Sequence, residues 1–182
     1  MKEDQLKTKT EFFLHPEEEE EDLPQWMLAC VKPRSEKKFA QYCSERNILY
    51  RLPLYKSIKK YPRKKLIFYK PCFPGYVFLY TKEKNRINLY QSFYLLKLIK
   101  IKNQKLFINQ LESILLAIES GVELIPAKEF KPGTIVQICR GPMQGIVGVI
   151  QKIKGTCMVY LSIDFISRGV LVEVDIDNIE SL

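Results

Sequence analysis

The chain has 182 residues, enough for one ordinary domain or two small ones, and its 46% hydrophobic and 27% charged composition is that of a folded globular protein. No run approaches the roughly 18 apolar residues of a membrane span and the N-terminus lacks an apolar signal core, so no membrane contact and a cytoplasmic location are expected. Five cysteines, never spaced C-x-x-C, indicate neither a disulfide framework nor a zinc site, and a single histidine, His15, leaves histidine-based catalysis little to build on, so neither metal nor cofactor is expected.

The net charge of +8 is unevenly distributed. Residues 1–25 carry three bases and nine acids, residues 26–125 carry 20 bases and six acids, and residues 126–182 carry six of each. Positive charge confined to the centre points to a polyanion there and to a different kind of partner for the neutral C-terminal part.

The leader, 1–25, contains Glu17 to Asp22, six consecutive acids with no apolar residue to offset the ordering entropy, and disorder is predicted. Such a run reads either as a shield for the basic segment or as a solvated tail. Trp26 to Val31 is a short apolar run halted at Pro33 and predicts a buried strand. Ser35 then offers an N-cap to a helix whose Phe39, Tyr42 and Cys43 share an inward face, with Lys37, Lys38 and Glu45 outward. Leu49 to Tyr55 predicts a second strand, placed at an edge or bend by Pro53.

A basic loop is expected over 56–65, where Lys56, Lys59, Lys60, Arg63, Lys64 and Lys65 crowd around Tyr61 and Pro62. Leu66 to Tyr69, Tyr76 to Tyr80 and Phe93 to Ile101 predict further strands. Asn109 with Glu112 forms a capping-box pair for a helix carrying Leu111, Ile114, Leu115 and Ile118 and ending near Gly121. Residues 26–121 therefore read as an α+β domain, an antiparallel sheet flanked by helices. Residues 122–128 read as a linker, and 129–182, with short valine- and isoleucine-rich runs between glycine turns, as a small all-β barrel.

Trp26 to Val31 followed by Lys32-Pro33-Arg34-Ser35, then Leu52-Pro53-Leu54-Tyr55, then Phe73-Pro74-Gly75-Tyr76-Val77-Phe78, resembles the N-terminal domain of the NusG family of transcription factors. The segments Lys131 to Val136, Gly141 to Ile150 and Arg168 to Asp175 resemble its SH3-like KOW domain, so the resemblance covers 26–182. It implies a non-enzymatic, monomeric elongation factor that binds RNA polymerase. The Arg168 to Asp175 ending and the Lys32-Pro33-Arg34 start are more similar to the specialised antiterminators of the RfaH and capsule-locus type than to the general factor.

The resemblance also assigns roles. Phe73, Tyr76, Phe78 and Tyr80 would contribute to a patch for the polymerase clamp, with ordinary core aromatics as the rival reading, and a regular strand puts the last three on one face. Lys32, Arg34, Lys37 and Lys38 would face the non-template DNA strand. Lys59, Lys60, Arg63 and Lys64 are either a second nucleic-acid contact or a solvated loop. Phe165, Ile166 and Arg168, in a predicted loop where polar residues are the rule, would bind a ribosomal protein or Rho. Gly141, Gly145 and Gly148 are read as architectural. Two rival classes are a ribosome-associated RNA-binding protein and, more distantly, a nucleic-acid-processing enzyme, for which no paired carboxylates or phosphate loop stand out.

Overall fold

The computed structural model describes residues 23–62, 64–127, 133–153 and 156–182. Most of the acidic leader with His15, Arg63, the Lys131-Pro132 pair and Gly155 lie outside the described residues. Among the described residues no helix is long and apolar enough to cross a membrane.

Strand β1 (Gln25–Val31) lies inside a four-stranded antiparallel sheet, between β5 (Tyr76–Thr81) and β6 (Leu95–Lys100), with β2 (Leu49–Arg51) on the outer edge of β5. Both faces of β1 are covered, which is why its sequence is a continuous apolar run rather than an alternating one. On one face Met27, Ala29, Val31, Val77, Leu79, Leu95 and Leu98 pack with Phe39 and Cys43 of helix α1 (Glu36–Glu45) and with Leu89 of the short helix α2 (Arg86–Tyr90). Ser35 stands at the N-cap of α1, but its hydroxyl makes no capping bond; its backbone carbonyl accepts from the Phe39 N–H at 2.8 Å. Strand β6 starts two residues later than expected because Phe93 has a φ of 60°, which breaks the extended run.

The expected basic loop is instead a hairpin. Strands β3 (Leu54–Tyr61) and β4 (Lys64–Pro71) pair over their whole length, from Leu54 opposite Pro71 to Tyr61 opposite Lys64, as a separate two-stranded sheet. Charge density suggested a loop, yet Tyr55, Ile58, Ile67, Phe68 and Tyr69 supply the β-branched and aromatic content of strands.

Helix α3 (Gln104–Glu119) starts six residues before the position expected from a cap at Asn109. Asn103 is the cap, its Oδ1 accepting from the Leu106 N–H at 3.0 Å, and Phe107 extends the buried stripe one turn back from Leu111 and Ile114. The helix ends ahead of Gly121, whose φ is +75°. The first residues of the segment read as a linker lead into strand β7 (Leu124–Ala127).

The remaining strands are β8 (Ile135–Ile138), β9 (Val147–Ile153), β10 (Thr156–Ile163), β11 (Arg168–Glu173) and β12 (Ile179–Ser181). With β7 they form one six-stranded antiparallel sheet ordered β12-β8-β9-β10-β11-β7. The mixed helix and sheet unit is thus followed by a strand-rich unit, and one apolar cluster joins them: Leu28 and Phe78 of the first sheet, Phe107, Leu111 and Ile114 of α3, then Val159, Leu161 and Val170 of the second.

Gly141 and Gly145 both hold positive φ in the turn before β9, and Gly148 sits where strands come close. A Cβ on Gly148 would lie 2.5 Å from Val159 Cγ1 and 2.7 Å from the Tyr160 carbonyl oxygen. Gly148→Ala is expected to destabilise the protein by about 1–3 kcal/mol through overpacking, read as a lower urea midpoint with unchanged slope.

Candidate functional site

The register of β1 against β5 pairs Trp26 with Tyr80, Leu28 with Phe78 and Cys30 with Tyr76, so these six share the sheet face opposite α1. Helix α3 is fastened to this face at its first residue: the Trp26 N–H donates to Gln104 Oε1 at 2.8 Å and Gln104 Nε2 donates to the Trp26 carbonyl at 2.9 Å. Phe107 then reaches the aromatic set, its ring centroid 5.1 Å from Phe78 and 5.8 Å from Trp26, while Phe73 meets Phe78 edge-on at 5.8 Å. Phe73 and Phe78 are 1% and 0% exposed, and Tyr76 and Tyr80 are partly exposed. The structure therefore brings the four aromatics together but gives solvent only the two tyrosines.

The turn between β10 and β11, a 3-10 segment over Asp164–Ile166, lies against the same region. Arg168 Nη1 donates to the Pro74 carbonyl at 3.1 Å, and its guanidinium carbon sits 4.9 Å from the centroid of the Tyr76 ring. The Asp164 N–H donates to Gln110 Oε1 of α3 at 3.2 Å, and Ile166 packs on the shared apolar cluster. Phe165 is the exposed member of the trio Phe165, Ile166 and Arg168. Two patches expected to serve different partners thus touch one another. Nothing in the sequence signals this, since residues 76 and 168 are remote along the chain and belong to different units.

The basic side chains gather at one end of β1. Lys32, Arg34, Lys37 and Lys38 are all exposed, and Glu36 between them is buried, its Oε1 accepting from the Gly75 N–H at 2.7 Å and so tying the start of α1 to the turn before β5. Arg34 has a φ of 62°, and across from it the exposed Phe93 is also left-handed, while the Lys32 N–H donates to the Tyr94 carbonyl at 2.9 Å. Left-handed backbone at two non-glycine residues costs roughly 1–3 kcal/mol each. Here it turns an arginine and an aromatic outward at the same end of the sheet. Phe93, 79% exposed, was hidden in the sequence by its reading as strand.

A cleft of about 340 Å³ opens between α1 and the base of the β3–β4 ribbon, lined by Arg34, Lys37 and Lys70, by Glu36, and by Tyr55, Pro71 and Pro74. Lys59, Lys60 and Lys64 project from the ribbon itself, all exposed. Lys70, at the base of the ribbon, thus shares this cleft with the helix-start cations Arg34 and Lys37, while Lys59, Lys60 and Lys64 lie further out toward the ribbon tip. The buried thiols Cys43 and Cys72 are pushed up to about 12 by desolvation and take no part in this surface.

No curated protein matches the chain. The family model described as transcription termination factor nusG matches residues 24–129, a span that holds the four-stranded sheet, its helices, the ribbon and the aromatic face, and that covers more than half of the sequence. On that match the chain belongs to the NusG family, a family of transcription termination and elongation factors and not of enzymes.

Proposed function

We propose that the protein binds RNA polymerase through the aromatic face and suppresses pausing or termination, as a specialised antitermination paralogue whose C-terminal sheet is a KOW-type module. The observation that carries this reading is the aromatic set Trp26, Tyr76, Phe78 and Tyr80 on one sheet face, with the two tyrosines at its open rim. A factor of this kind acts by binding the processive state of the polymerase more tightly than the paused one, and needs no chemistry of its own. Lys32, Arg34, Lys37 and Lys38 would meet the non-template strand through salt-sensitive phosphate contacts. The test is transcription by purified cognate polymerase with and without the chain, scored for pause lifetime and read-through. Unchanged pausing on every template, with no binding to the polymerase, would sink the reading in favour of a ribosome-associated role.

The contact of Arg168 with Pro74 and Tyr76 occupies the rim that a polymerase would use. Polymerase binding then has to displace it. Arg168→Ala, which removes one hydrogen bond and one cation–π contact worth roughly 1 kcal/mol together, is expected to raise polymerase affinity up to about fivefold. A titration that gives equal or weaker binding would show that the contact does not compete. Displacement would also free Ile166 and Arg168 beside the already exposed Phe165, the surface through which a general factor would recruit Rho or a ribosomal protein.

A further inference from the structure

We propose that the β3–β4 ribbon is an arm for double-stranded DNA, holding phosphates of both backbones with its two faces. This rests on the nucleic-acid reading above and adds the form of nucleic acid that is taken.

From residue 46 to residue 82 the chain has ten bases and no acid. Directly opposed residues in an antiparallel pair lie on the same face, so one face of the ribbon carries Lys56 opposite Tyr69, Ile58 opposite Ile67 and Lys60 opposite Lys65. The other carries Tyr55 opposite Lys70, Ser57 opposite Phe68, Lys59 opposite Leu66 and Tyr61 opposite Lys64. Each face therefore bears three lysines.

This arrangement is costly for the fold. Among the described residues neither strand pairs with a third, and an isolated two-stranded ribbon is marginal on its own. Ile58 and Ile67 remain 50% and 52% exposed, and Lys60 repels Lys65 directly across the pair. A polyanion with apolar and planar surfaces relieves all three costs: phosphates offset the lysines, while sugars and bases cover the isoleucines and the exposed rings of Tyr61, Phe68 and Tyr69.

The two-faced distribution of lysines selects the duplex. A single strand has one backbone, which one face would serve, leaving three lysines without a phosphate. Two backbones flank a groove, and the major groove of B-form DNA, about 12 Å wide, admits a two-stranded ribbon, whereas that of A-form RNA is too narrow. Eight residues per strand at about 3.3 Å each let the ribbon reach about 26 Å, well clear of the sheet.

The test uses the full chain in anisotropy titrations against a short labelled DNA duplex, one of its single strands and an RNA duplex of the same sequence, at two salt concentrations. The wild type is expected to prefer duplex DNA. The triple variants Lys56→Ala/Lys60→Ala/Lys65→Ala and Lys59→Ala/Lys64→Ala/Lys70→Ala should each lose about tenfold or more in duplex affinity and lower the salt slope by about 2 to 3, as fits three phosphate contacts. Arginine at the same positions should restore binding, and Lys102→Ala/Lys105→Ala, exposed lysines outside both the ribbon and the helix-start cluster, should leave duplex binding unchanged. Binding of single strand or RNA as tightly as duplex DNA, or a loss confined to one triple variant, would overturn the proposal. That failure is separable from failure of the functional reading: a chain that still lengthens transcription without a duplex preference loses only the arm, and a chain that binds duplex through both faces but ignores polymerase keeps it.

Discussion

Phe78→Ala is expected to lower the free energy of unfolding by about 3–5 kcal/mol, a large share of the roughly 5–15 kcal/mol that holds an ordinary domain. The ring is wholly buried, faces Leu28 across the β1–β5 pair and contacts both Phe73 and Phe107, so truncation leaves a cavity at the point where the first sheet, the turn before β5 and α3 meet. Urea titration followed by the fluorescence of Trp26, the lone tryptophan, reports directly on this cluster because its ring lies 5.5 Å from Tyr80 and 5.8 Å from Phe107. A wild-type midpoint would mean that the region repacks without cost. The consequence for function is practical: a polymerase-binding defect in Phe78→Ala reports loss of the fold, and only a variant at the rim can report the contact.

Tyr76→Ala is that variant. Tyr76 is partly exposed and its loss should leave stability within about 1 kcal/mol, while binding to polymerase is expected to fall by about 2 kcal/mol or more, close to 30-fold, as for an interface tyrosine at a hot spot. Two effects oppose one another here, since the same substitution removes the ring under Arg168 and loosens the contact that competes with polymerase. The hot-spot term is the larger, so the net sign is weaker binding. The coupling can be read from the double variant: Arg168→Ala should strengthen binding in the wild-type background and do little in the Tyr76→Ala background. Wild-type affinity for Tyr76→Ala would place the polymerase contact elsewhere.

The elements of the first unit were legible wherever apolar periodicity was strong. The run from Trp26 to Val31, the Phe39 and Cys43 spacing and the β-branched and aromatic Tyr76 to Tyr80 led to β1, α1 and β5. Misreadings came where two signals competed. Lysine density over 56–65 masked a strand pair whose alternate residues are apolar or aromatic, and the Asn109–Glu112 capping-box spacing drew the helix start away from Asn103, the cap in the structure, from which the buried Phe107 extends the stripe. Strand β7 was missed because four residues, Leu124 to Ala127 with Pro126 among them, carry no period; β11 makes them a strand by supplying the partner.

The same division runs through the candidate site. Sequence alone determined which residue types were available: a basic centre without acids from 46 to 82, an aromatic run at 73–80 and an apolar pair at Phe165-Ile166. It determined as well, by the two-residue period of a strand, that Tyr76, Phe78 and Tyr80 share a face. Tertiary structure alone decided that α3 covers that face so that Phe73 and Phe78 are buried while Tyr76 is not, that Arg168 comes to rest on Tyr76, and that the ribbon lysines divide evenly between two faces. The physical reason is range: backbone periodicity acts over a few residues and can be read locally, whereas burial and contact depend on which distant segment covers a surface, a choice made by the packing of the whole chain.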